Sequence, residues 1–405
     1  MKKHRLIFGL VAVLVVAAFA VLTFHLLPEL LNAAVEGEEY SASVGYASDS
    51  VRAEILEILE EGEVQLGDVT QKYQVLRVRI LEGEFQGLEL TVDYGKRQLR
   101  PEGLNLKPGE KVIITVGRDI NNQLLARFQD YVRLTPLFIL FGTFVILSIL
   151  ISGWKGVRSL LGMGFSLLVI VYYIIPNILA GKDPVLVSVS GAFFLLAVTL
   201  YLIYGWTLKT HAAVLGTLSS LIITALLARY FVDLTRLTGF GNEDALFLLQ
   251  QTAGGINMQG LVLGGMLIGA LGVLDDLVIT QASVVFELYG LDQSLTLRNL
   301  YLRAMRVGRD HVAATVNTLV LAYAGAALPM FLLFSLAGTQ LALILNLEYV
   351  AEEVVRTMVG SLGLIAAVPL TTILSALIAR YHSRLGRVLP LLGPLTGEDD
   401  HHHGH

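Results

Sequence analysis

Two adjacent carboxylates, Asp275 and Asp276, stand in the run GALGVLDDLVITQ, within a segment that is predominantly apolar or small from Gly260 to Leu288. An acid at the centre of a bilayer costs at least about 2.5 kcal/mol on the most lenient scale. Such groups therefore meet a partner, meet water or hold a proton. Successive helical positions are turned by about 100°, so the two acids face different ways. Asp276, Thr280, Ser283 and Glu287 recur at i, i+4, i+7 and i+11 and form one polar stripe. Asp275 faces another neighbour. Desolvation and a close like charge both favour the neutral form of a carboxyl group, and a group that gains and loses a proton near neutrality is what a proton carrier needs. The competing reading is a pair of packed, hydrogen-bonded structural acids.

The next apolar segment supplies candidate partners. GRDHVAATVNTLVLAYAGAALP opens with Arg309, Asp310 and His311, just after Arg306. His311, Thr315 and Thr318 share a face, and Asn317 and Tyr323 lie further along on other faces. Asn and Thr side chains hydrogen-bond carboxyl groups across helices. His311 either exchanges protons with an acid or is solvated at a helix end. The candidate proton- or ion-coupling set is thus Asp275, Asp276, Thr280, Asn317, Thr318 and His311. Further hydroxyls, Thr217, Ser220 and Thr224 before the acids and Ser361, Thr371, Thr372 and Ser375 after them, either satisfy their own helix or line a wet path if they face the acids. Arg298, Arg303, Arg306 and Arg309 read first as topology determinants, with a phosphate site as the alternative. No phosphate loop, HExxH or GxSxG is present, so enzymatic activity is not expected. The end EDDHHHGH has metal-binding residue types but equally resembles a tag. No metal site and no cofactor are assigned.

These residues need a membrane scaffold. The 405 residues are 54% hydrophobic and only 16% charged, against about 25% charged in soluble domains. Net charge is −5, and there is no cysteine. Disulfides, thiolate chemistry and nucleic-acid partners drop out, although a Cys-free chain names no compartment. Lys2, Lys3 and Arg5 precede the run Leu6–Leu27, which exceeds a signal-peptide core of about 7–15 residues and reads as an uncleaved first span. Further spans are expected near Leu137–Ser152, Val157–Leu179, Pro184–Tyr204, Ala212–Val232, Met258–Leu288, Val312–Leu336 and Val354–Ala379. That makes about eight, each long enough for a core about 30 Å thick. The first two of these meet closely at SGWKG. Between the first span and the rest, Val51–Asp130 alternates apolar and polar residues and carries Gly and Pro turns such as LKPGEK. It reads as a small β-barrel of the oligonucleotide/oligosaccharide-binding or Src-homology kind, after a linker over Glu36–Ser50. Lys and Arg in the short loops favour both termini in the cytoplasm, an even number of spans and an outward β domain. Asp233–Gly255 holds a possible short helix at the outer interface. Gly260, Gly264, Gly265, Gly269 and Gly272 suit close helix contact and place the acidic helix at the bundle centre.

The expected organisation is an α-helical polytopic membrane bundle with a small extracytoplasmic β-barrel-like domain after its first helix. Its parts are residues 1–35, 36–132, 133–385 and a cytoplasmic tail, 386–405. The GVLDDLVITQASVVFEL and GRDHVAATVNTLVLAYAGAALP blocks resemble the YibE/F family of bacterial multi-pass membrane proteins, over the outer domain and nearly all spans. That resemblance implies the architecture and a bacterial plasma-membrane location more than an activity. The order of features is also distantly similar to one half of an RND permease or of SecD/SecF. That likeness implies that Asp275 or Asp276 carries a proton, with Thr315–Thr318 in the following span. The chain departs from that pattern in its extra spans, its small outer domain and its single copy of the unit. The function expected is a transporter or permease, proton- or ion-coupled. The alternative is a non-transporting scaffold or envelope assembly factor acting through the β domain. Expected partners are the bilayer, a small solute or ion, and a second membrane subunit or copy; no nucleic acid is expected.

Overall fold

The computed structural model describes residues 50–97, 99–100, 105–118, 124–241, 243–252, 254–338, 340–384 and 389–396. The run Leu6–Leu27, the linker up to 49 and the His-rich end lie outside the described residues. The alternating segments form β1 (Ser50–Leu66), β2 (Val69–Ile80), β3 (Glu89–Tyr94), β4 (Lys111–Arg118) and β5 (Leu124–Tyr131). They close into a barrel in the order β1-β2-β3-β5-β4, antiparallel except where β3 meets β5. The sequence led to a small β-barrel, and the structure gives it five strands. Closure depends on β1, whose first residues pair with β4 while the rest pairs with β2. Register shifts between Ile55 and Glu57 and between Ile58 and Glu60 supply the curl. Ile55, Leu76, Val78, Val92, Val112 and Ile114 point inward and are buried, as the two-residue period requires. Outward positions carry charge pairs such as Arg79–Glu89.

The chain divides into two compact units, one containing the barrel and ending at Leu147, the other beginning at Ser148. Helix α1 (Leu134–Leu179) crosses that boundary and is 46 residues long. It covers two of the expected spans. Gly153 breaks it, with φ 57° and ψ −133°, a conformation that glycine adopts without a Cβ clash. The junction at SGWKG is thus a kink at which two helical pieces meet. The second unit continues with α2 (Pro184–Tyr204), α3 (Leu208–Leu234), α4 (Glu243–Gln251), α5 (Met258–Leu291), α6 (Leu297–Ala326), α7 (Leu328–Ala337), α8 (Glu348–Tyr381) and the short α9 (Leu389–Leu392).

Among the described residues five helices are long and apolar enough to cross a membrane, or up to six if the bent pair α6 and α7 is one span. The count of eight is not reached there. The expected span Val312–Leu336 is broken by 58° where α6 passes to α7, because Pro329 lacks an amide hydrogen and its ring excludes the preceding helical carbonyl. The short helix expected between Asp233 and Gly255 is α4.

Local chemistry sets the helix starts. Asp183 accepts from the amides of Val185 and Leu186 at 2.8 and 3.0 Å and precedes Pro184. Asn257 caps α5 by accepting from Gly260 N at 3.0 Å, and Thr296 caps α6. The start of α3 is capped from afar: Leu208 N and Lys209 N donate to the carbonyls of Pro394 and Leu395 at 2.9 and 3.2 Å. Around α5, the buried Leu267, Leu274, Leu277 and Val278 join Leu196, Leu200, Leu364 and Val368 in one core, so the glycine-rich acidic helix does pack centrally.

Candidate functional site

Small residues hold α5 close to its neighbours. A Cβ at Gly264 would stand 2.4 Å from Ser188 Oγ on α2, and one at Gly308 on α6 would stand 2.8 Å from Gln281 Oε1. A Cβ at Gly216 on α3 would lie 2.4 Å from Thr371 Oγ1 and 3.1 Å from Val278 Cγ1. Gln281 is 1% exposed. Its amide donates to Ala304 O at 3.1 Å and Thr372 Oγ1 at 2.8 Å, tying α5 to α6 and α8. Sequence reading missed this clamp, although Gln281 is the one amide in that apolar stretch. Gln281→Leu leaves buried polar partners unpaired and lowers stability by about 1–3 kcal/mol, measurable as a shifted unfolding midpoint of the purified protein in detergent.

The acids lie between these contacts, on different sides of α5. Asp275 is mostly buried, and its Oδ1 is enclosed with no hydrogen-bond partner. Asp276 is exposed. Tyr204, the last residue of α2, lies within electrostatic reach of both carboxylates; it too is absent from the sequence-derived set. Asp275 stands 17 residues beyond Met258, about 26 Å along the axis. A hydrocarbon core is about 30 Å thick. Asp275 also stands 16 residues before Leu291, so the pair falls at the middle of α5, whose 34 residues exceed that thickness.

Thr280 donates to Asp276 O, the backbone carbonyl, at 2.8 Å and so serves its own helix. Thr315 and Thr318 do likewise, to His311 O and Ala314 O. Thr217, Ser220, Thr224, Ser361 and Thr372 also bond their own helices. Thr371 Oγ1 and Ser375 Oγ, by contrast, are buried without a partner. Asn317 and Thr318 are exposed on α6, and His311 is half-buried. Asp276, Thr280, Asn317 and Thr318 thus all lie at open positions of two neighbouring helices.

A second charged feature occupies the Met258 end. Glu352 on α8 is 7% exposed and pairs with Arg356, which also lies 3.6 Å from Glu353. Asp244, Leu248, Met258, Val262, Glu352 and Arg356 are among the residues lining a cavity of about 230 Å³. From there the open side of α5 runs past Gly265, Gly269 and Gly272 to Asp276. A Cβ at Gly265 would be 3.8 Å from Arg356 Nη1, one at Gly269 would be 3.6 Å from Tyr323 Oη, and one at Gly272 would meet nothing within 4 Å. The result is a trough floored by glycines. The sequence offers a signal for Arg356, since VAEEVVRTMVG places Glu352 and Arg356 at i and i+4.

A family profile described as YibE/F-like protein matches residues 140–381. The chain belongs to the YibE/F family. Both acids, the polar residues of α6 and the Glu352–Arg356 pair fall inside the YibE/F match. The barrel falls outside it, so the match is narrower than the resemblance read from the sequence. No curated protein and no solved structure matches the chain, and the likeness to RND permeases and SecD/SecF gains nothing from these comparisons.

Proposed function

We propose that the chain is a membrane permease, coupled to protons or another cation through Asp275 and Asp276, moving a small solute or ion across the bacterial plasma membrane. In this reading both termini are cytoplasmic and the barrel faces outward. The carrying observation is Asp275 Oδ1, buried with no donor while a second carboxylate stands at the next residue. A structural acid is held by donors, because a buried carboxylate without them is costly. Here a bound proton or cation relieves that cost, and the open face at Asp276 gives it a way in. Asp276 is the entry carrier, Asp275 the buried holder, and Tyr204, Asn317 and Thr318 are polar groups near the route.

Labelling with a hydrophobic carbodiimide, read by peptide mass spectrometry, tests this directly. The reagent attacks protonated carboxyl groups in apolar surroundings. Modification of Asp275 or Asp276 that declines as pH rises is the expected result. No modification at any pH contradicts the reading.

One observation favours the scaffold alternative. The barrel carries its own cavity of about 280 Å³, with Glu61, Glu63, Lys72, Tyr73, Arg100 and Asn105 in its lining, suited to a charged partner. Deleting residues 36–130 separates the two readings: a scaffold loses its function, whereas a permease retains flux.

A further inference from the structure

The outward faces of the bundle helices are of two kinds. On α2, α3 and α8 they present large apolar side chains, among them Leu186, Phe193, Leu215, Ile222, Met358 and Ile365, with exposures of 47–71%. That is the chemistry of a surface in contact with lipid. The exposed positions along α5 are different: Gly265, Gly269, Gly272, Asp276, Thr280, Glu287 and Gly290 precede Leu291, the helix's last residue and its one exposed large apolar side chain. On the neighbouring α6, Asp310, Ala314, Asn317 and Thr318 are also exposed, with the apolar Val307 and Leu321 above and below them. Small residues and polar groups are what helices present to one another in a bilayer, where close backbone approach and interhelical hydrogen bonds drive association. A carboxylate facing lipid is costly.

We propose that the α5–α6 face is the interface between two copies of this chain, related by a twofold axis. Charge argues for a second copy as the occupant. The face and its continuation carry the acids Glu287 and Asp310 and the bases Arg303 and Arg306, all exposed. None of the four is in an ion pair among the described residues, Arg303 having only Asp292 of its own chain within electrostatic reach. In an isologous contact, residue i of one copy meets j of the other while j meets i, so one surface bearing both signs complements itself. The first apolar run, the other segment available to cover the face, offers only Thr23 and His25 as polar side chains between Leu6 and Leu27. It brings little to pair with Asp276, and its permanent charges, Lys2, Lys3 and Arg5 just before the run, include no acid to match Arg303 and Arg306. Pairing of two copies encloses both glycine troughs and both Asp276 side chains between subunits. The inference does not depend on the transport reading.

The chain contains no cysteine, so each introduced thiol reports alone. Gly272→Cys, where an added Cβ meets open space, and Ala314→Cys are compared with Ile222→Cys and Ile365→Cys on the apolar faces. Oxidation in native membranes at low expression is read as covalent dimer on a denaturing gel. Several-fold more dimer from the first two positions is expected. Equal yields at all four positions, or no dimer at any, overturn the proposal. So does a link within one chain when Gly272→Cys is combined with Ala18→Cys, which would assign the face to the first run. Reversing one charge, Glu287→Arg, lowers the Ala314→Cys yield, and Arg303→Glu in the same chain restores it; failure to restore contradicts the pairing. The readout needs no flux, so its failure is distinct from failure of the permease reading.

Discussion

Asp275→Leu is expected to make the protein more stable while removing its coupling function. The buried Oδ1 of Asp275 has no donor, and an unsatisfied buried polar group costs about 1–3 kcal/mol. Leucine fills similar space with no such cost, so the melting temperature of the intact protein in detergent rises by a few degrees. Asp276→Leu, at an exposed position, leaves the melting temperature nearly unchanged. The sign is what discriminates. A hydrogen-bonded structural acid lowers stability when removed, and a lower melting temperature for Asp275→Leu would place Asp275 in that class. Stabilisation on removal is the signature of a group kept for function at a cost in stability.

Gly216→Leu is expected to have the largest effect of opposite sign. A Cβ at this position would already stand 2.4 Å from Thr371 Oγ1 and 3.1 Å from Val278 Cγ1, at the junction of α3, α5 and α8. Overpacking of this kind costs about 1–3 kcal/mol and sometimes more. It also displaces the segment of α5 just beyond the acids, so stability and flux fall together. Gly290→Leu, outside the part of α5 that carries the interface probes, is the control, because nothing lies within 4 Å of its Cβ position. Equal loss of stability in both variants, measured by thermal unfolding, would mean that α5 is uniformly intolerant and that the packing described at Gly216 is not decisive.

How much of this was legible in the sequence varies with the physics involved. Period-two alternation through Leu76, Val78 and Ile80 gave the barrel, because a strand buries one face whatever its partner. The apolar runs marked the helices, and three members of the polar stripe, Asp276, Thr280 and Glu287, emerged on an open face, whereas Ser283 is half-buried and bonds Ile279 O. Breaks were harder. The break at Gly153 falls where two expected runs meet, but Pro329 interrupts a run whose hydropathy is continuous, and hydropathy reports burial, not backbone direction. The finer geometry of the site depended on neighbours that one helix cannot reveal. Helical spacing separates Asp275 from Asp276, but only the packing of α5 shows which is enclosed. Thr280 and Thr318 look like carboxylate partners in sequence and instead bond their own helices. The pairing of Arg356 with a nearly buried Glu352 follows their i, i+4 spacing, but the burial does not show in one helix.

The central claim is that the paired acids carry a proton or cation across the membrane. Its most direct test is ion movement in proteoliposomes holding the purified full chain and a trapped pH-sensitive dye, under an imposed potential and, in parallel, an imposed pH gradient. The account predicts flux with the natural sequence and loss of nearly all of it in Asp275→Asn and in Asp276→Asn, with both variants folded by their melting curves. Undiminished flux in both variants, from protein that is correctly folded, would contradict it.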